Sequence, residues 1–216
     1  MDNEQTKELQ AVGEKAGLVQ STPQPTQVAT IWNDKALLEQ AWKTAGFLSK
    51  TDLVPDTYRG RPENCLIALD LSNRSGMSPL TVMQNLYVVK GKPAWSGQFI
   101  IALVNSSGRY LKPLNPVFVG EKGTLSYGCY METVALNGEK KYGTTVTMQM
   151  AKDEGWIDKA GSKWKTMPEQ MLMYRAGAFF GRVHCPDVLY GLQSVEEVKD
   201  TDGYDKDEKP KIKITL

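Results

Sequence analysis

The chain has no apolar run long enough to span a bilayer. Its N-terminus, MDNEQTKELQ, is polar and lacks the apolar core of a secretory signal. Cysteine is scarce and scattered, at Cys65, Cys129 and Cys185, an odd set that argues against a disulfide framework and fits a reducing cytoplasm. The single histidine, His184, has no second cluster of metal-ligating residues beside it. No glycine-rich loop ends in Gly-Lys-Ser or Gly-Lys-Thr, so nothing supports ATP use. Coiled-coil heptads and internal repeats are also missing. These absences leave a cytoplasmic chain whose 216 residues suffice for one domain with a substantial core.

Net charge is also small, at +1, but it is unevenly spread. Residues 1–89 hold eight Lys+Arg against ten Asp+Glu, residues 90–183 thirteen against seven, and residues 184–216 five against eight. A basic middle between acidic ends points to a polyanion site in the middle.

The organisation divides into an N-terminal arm (1–26) ending in STPQPTQ, a folded domain (27–200) and a charged C-terminal tail (201–216). Ile31, Leu38, Trp42 and Ala45 recur at helical spacing and predict a helix from about Asp34 to Leu48. RPENCLIALDLSNRSG reads as a second helix stopped near Gly76. MSPLTVMQNL reads as a third, with Ser78 as N-cap and Pro79 at its first position. LYVVKG is a short strand, whereas SGQFIIALVNSSG fits a buried helix or a buried strand equally well. Asn137-Gly138 between LSYGCYMETVAL and YGTTVTMQM is the strongest hairpin signal, with Tyr142, Thr144, Val146, Met148 and Met150 on one face of the second arm. Thr166 and Glu169 form a capping-box pattern with Pro168, so a long helix starts near Met167 and ends before Pro186. Ser194 with Glu197 opens one more short helix. The expected class is α+β, an antiparallel sheet with a hairpin packed by helices.

On the long helix, Arg175 and Arg182 lie within about 20° of one another, sharing a stripe with Met171 and Ala178. Leu172, Ala176, Phe179, Phe180 and Val183 form the opposite, apolar side, and the small residues Ala176, Gly177, Ala178 and Gly181 admit a close neighbour. The expectation is an arginine stripe facing phosphates, which the planar, permanently charged guanidinium suits. Lys159, Lys163 and Lys165 surround Trp164 just upstream, and Lys90, Lys92 and Trp95 repeat that chemistry earlier in the chain. Lysines interleaved with an aromatic ring suit a single-stranded nucleic-acid groove, although each tryptophan also suits a core. Asp153, Glu154 and Asp158 are the carboxylates from which a metal-dependent nuclease could be built.

The segment EGWIDKAGSKWKTMPEQMLMYRAGAFFGRVHCPDVLYGLQSVEEVKD resembles the RecT family of phage and prophage single-strand annealing proteins. The similarity lies in the Gly-Trp pair, Ser-Lys-Trp, Met-Pro-Glu, Tyr-Arg-Ala, the aromatic pair, and Pro followed by Gly-Leu and Glu-Glu. Upstream, GMSPLTVMQNLYVVKGKPAW is similar to the family's entry to its core, so the resemblance covers about residues 30–200. It implies a non-enzymatic, ATP-independent recombinase of a bacterial host's cytoplasm, needing no cofactor beyond optional assistance from magnesium. It also implies a homo-oligomeric ring or helical filament holding single-stranded DNA and the annealed duplex intermediate in an outer basic groove. A 5′–3′ exonuclease and a host single-strand binding protein are the implied partners. Carried onto this sequence, the DNA-facing residues are Lys90, Lys92, Lys163, Lys165, Arg175 and Arg182, with Trp164 secondary; Lys159 and Trp95 join them from the loop chemistry above. A nuclease, or an inhibitor or scaffold that shares the core without binding DNA, is the alternative. The chain departs from the family after the last predicted helix, where only TDGYDKDEKPKIKITL stands in place of a helical partner-binding region.

Overall fold

The computed structural model describes residues 31–89 and 91–201. The N-terminal arm, Lys90 and the tail beyond Thr201 lie outside the described residues. Three helices open the chain: α1 (Lys35–Leu48), α2 (Pro62–Ser75) and α3 (Pro79–Asn85). Asp34 caps α1 by accepting from the amides of Ala36 and Leu37, and Gly76 stops α2 at φ 68, a left-handed conformation that suits glycine. The strands β1 (Leu86–Val89) and β2 (Lys92–Trp95) then form a tight antiparallel hairpin in which Val89 faces Lys92. The undecided apolar segment is a helix, α4 (Gly97–Ser106), capped by Ser96.

β3 (Asn115–Val119), β4 (Gly128–Val134), β5 (Lys140–Tyr142) and β6 (Val146–Thr147) come next. Beyond them lie α5 (Met148–Asp153), α6 (Lys163–Thr166), α7 (Pro168–His184), β7 (Gln193–Ser194) and α8 (Val195–Thr201). β4 is the centre of one sheet, pairing antiparallel with β3, β5 and β6. The second sheet is mixed, because β7 joins β2 in parallel. The fold is α+β, with antiparallel pairing throughout the larger sheet.

Two hydrophobic clusters meet along α4 and α7. Ile100 and Ala178 belong to one, with Tyr58, Met83 and Trp95; Val104 and Phe180 belong to the other, with Met131, Trp164 and Leu172. The close neighbour that the small residues of α7 admit is α4. A Cβ on Gly177 would stand 2.5 Å from Ile101 Cγ1, and one on Gly181 3.0 Å from Ile100 Cγ2.

Two local expectations are corrected. The second hairpin arm is not one strand. Glu132 faces Tyr142, yet Cys129 faces Val146, so the arm carries one extra residue between those pairs. Such a bulge exchanges the faces of the residues beyond it, and Met148 already begins α5. Gly143 sits at this irregularity, donating to the Met131 carbonyl (2.7 Å), where an added Cβ would come within 3.2 Å of Phe180. The Thr166–Glu169 capping box does not form either. Thr166 ends α6, and the Glu169 carboxylate instead takes the Tyr127 hydroxyl and the Lys122 ammonium, each at 2.8 Å. Those two hydrogen bonds, Lys122 first, hold Glu169 below the usual carboxylate range.

Candidate nucleic-acid interface

The two lysine–tryptophan segments use their aromatic rings inwardly. In β2, Trp95 is fully buried, its indole N–H donating to the Leu189 carbonyl (3.1 Å) and its ring tilted against Phe99 at 5.0 Å. Lys92, at the turn end of the same strand, is exposed. In the second segment Trp164 is only 4% exposed and packs on Trp156, with ring centroids 5.3 Å apart. Ser162 ties the loop back by donating to the Trp156 carbonyl at 2.6 Å. Lys163 and Lys165, on either side of Trp164 in the one-turn helix α6, are exposed. Trp95 and Trp164 are therefore corrected from base platforms to struts. An indole that fills a core and lacks exposed surface contributes burial rather than stacking on a ligand.

Arg175 is also corrected. It is 4% exposed, with its guanidinium 4.0 Å from the centre of the Trp156 ring and 5.9 Å from that of Phe179. The helical spacing correctly aligned Arg175 with Arg182, but the loop carrying Trp156 covers the Arg175 end of that stripe. A desolvated cation over tryptophan is a strong version of this contact. Here it presses the loop onto α7. The signal was present in EGWIDKAG, where Trp156 lies just ahead of the lysines; which arginine it covers is a tertiary matter.

Arg182 reaches Glu197 of α8 at 2.5 Å, and Glu197 is buried. The same carboxylate accepts from the Ser194 amide (2.9 Å), while the Ser194 hydroxyl accepts from the Glu197 amide (3.1 Å). This is the reciprocal capping box expected from Ser194 and Glu197. Lys159 donates to the Lys199 carbonyl (3.0 Å) in the last turn of α8, where a cation complements the helix dipole. Because α8 also packs on β1 and β2, it gathers Lys159 and Arg182 beside the hairpin that carries Lys92. Lys165 stands 3.7 Å from Asp158, in a pair whose side chains are both more than half exposed.

Asp153 accepts from the Gln149 amide (2.7 Å), and no His/Cys/Asp/Glu group able to hold a metal occurs among the described residues. The three cysteines are buried; burial pushes the Cys129 thiol up to about 11 and raises that of Cys65, which suits packing rather than nucleophilic chemistry. No described helix is long and apolar enough to cross a membrane. Comparison of the chain with protein-family models, with curated proteins and with solved structures finds no match.

Proposed function

We propose that this protein binds single-stranded DNA and anneals complementary strands without ATP, as its resemblance to RecT-type annealing proteins implies. The observation that carries the reading is the placement of exposed Lys163 and Lys165 around the buried Trp164, with Lys159 held beside them on α8. Cations fixed on a rigid element can follow a sugar-phosphate backbone and leave base edges open for a second strand to test. Lys92 of the hairpin adds a fourth cation, and Lys90 stands two residues before it in the sequence. Binding through about 4–6 phosphate contacts gives a log–log salt slope of order −3 to −4 for a single strand.

Arraying many protomers along one strand supplies avidity without chemistry. Large exposed apolar side chains on and just before α1, Trp32 at 51%, Trp42 at 49% and Phe47 at 71%, support self-association into rings or filaments. The test mixes two complementary labelled oligonucleotides with the protein and no ATP, alongside a cleavage control with magnesium. Accelerated pairing with intact strands is expected. Unchanged pairing kinetics contradict the reading, and strand scission would select the nuclease instead.

A further inference from the structure

The outer face of the larger sheet carries an aromatic and polar surface that the lysine loops do not include. Residues facing each other across antiparallel strands share a face, which places Asn115 beside Glu132, Glu132 beside Tyr142, and Val134 beside Lys140. Tyr130 falls on this face by alternation from Glu132, and its ring meets that of Tyr142 edge-on at 6.1 Å. The opposite face, with Cys129 and Met131, is buried against α7. Tyr142 is 52% exposed. Next to it, Lys112, Asn115, Glu132 and Lys140 line a cleft of about 400 Å³ whose wall is Pro113 and Val134. The Asn115 amide donates to the Glu132 carboxylate (3.2 Å), and the other carboxylate of this hairpin, Glu139, is engaged by Lys141 at 2.7 Å.

We propose that this face is a base-stacking platform for single-stranded nucleic acid, with bases on Tyr142 and Tyr130 and the backbone along Lys112 and Lys140. The chemistry favours that occupant over an apolar partner. The rings are amphipathic and half-wet and the rim is cationic, so stacking engages base faces and leaves base edges open to a second strand. The Glu132 carboxylate repels a phosphate, which turns the backbone towards Lys112 and Lys140 and the bases towards the rings. Stacking on exposed aromatics with cations along the backbone is how sequence-tolerant single-strand sites are built. The platform rests on the single-strand binding proposed above, but it is spatially defined by the β3–β5 face rather than by α6 and α8.

The test is photocross-linking of the full-length protein to an oligonucleotide carrying 5-iododeoxycytidine, with adducts mapped by mass spectrometry. Adducts on Tyr142 or Tyr130 are expected. Tyr142→Ala should weaken binding about tenfold and Tyr142→Phe should leave it near wild type. Lys112→Ala with Lys140→Ala should flatten the salt slope by about one unit. If Tyr142→Ala fails to fold, the wild-type cross-link map still decides. DNA binding with adducts confined to the 159–165 loop or the β1–β2 hairpin overturns the platform alone. Absence of any DNA binding overturns it together with the proposed function. A fall in light-scattering mass of DNA-free Tyr142→Ala would assign the face to contact between protomers and also overturn it.

Discussion

The two lysine–tryptophan segments look alike in sequence and are held in different ways. The β1–β2 hairpin is fixed by its own ladder, by the parallel β7 and by Trp95 in the core. The 154–166 loop has no strand partner; it is held by Trp164 on Trp156, by Arg175 over Trp156 and by the Ser162 tie. Strand pairing defines the first element, whereas local turns and side-chain packing define the second. In both, the aromatic residue faces inward and serves the lysines by fixing where they project. A cation on a positioned element loses less conformational entropy on binding than one on a loose chain.

The largest expected effect is on the hairpin's anchor. Trp95→Ala should cost about 3–5 kcal/mol, because it empties a closed site and removes one of the two donors to the Leu189 carbonyl, the Leu192 amide being the other. A melting curve checks it, and a loss under about 1 kcal/mol would mean that the core relaxes around the cavity. The loop should be more modestly sensitive. Arg175→Ala should cost about 2 kcal/mol, the scale of a desolvated cation over tryptophan, and Trp156 fluorescence should shift as the ring becomes wetter. DNA affinity per folded molecule should fall only through loosening of Lys163 and Lys165. An Arg175→Ala protein of unchanged melting temperature that no longer binds DNA would put the guanidinium back at the phosphate. Arg182→Ala, which leaves a buried carboxylate with one cation fewer, should destabilise by about 1–3 kcal/mol, read from denaturant midpoints and from exchange of the α8 amides. The smallest effect on stability belongs to the lysines themselves. Lys163→Ala with Lys165→Ala should stay within about 0.5 kcal/mol of wild type, yet lower the salt slope of single-strand binding by about one unit.

Local chemistry was legible in the sequence where short-range contacts decide it. A helix start near Asp34, Gly76 as a stop, Pro79 at a helix start and the Ser194–Glu197 pair at another need only neighbours within four residues. The Thr166–Glu169 box has the same spacing but fails, because Tyr127 and Lys122, over forty residues away, compete for the carboxylate. The bulge after Tyr142 escaped the alternating pattern because Gly143 yields to Phe180, a contact across the fold. The same holds at the candidate interface. Lysines beside a tryptophan mark an element that exposes one and buries the other, but spacing does not say which residue does which. Helical periodicity aligned Arg175 with Arg182 without showing that the loop bearing Trp156 covers the first while the second stays exposed and pairs with Glu197 of α8. Alternation marks the Tyr142 face only as one side of a hairpin arm, since its cleft depends on register and on Lys112, which comes from outside those strands.

The central claim is that inward tryptophans hold outward lysines against a single strand. Its most direct test is the annealing rate of complementary oligonucleotides without ATP, compared between wild type and the Lys163→Ala, Lys165→Ala double variant at low and high salt. The account predicts acceleration by wild type that fades with salt. It predicts a several-fold slower rate for a variant whose melting temperature is unchanged. Equal rates for the two proteins at low salt would contradict it.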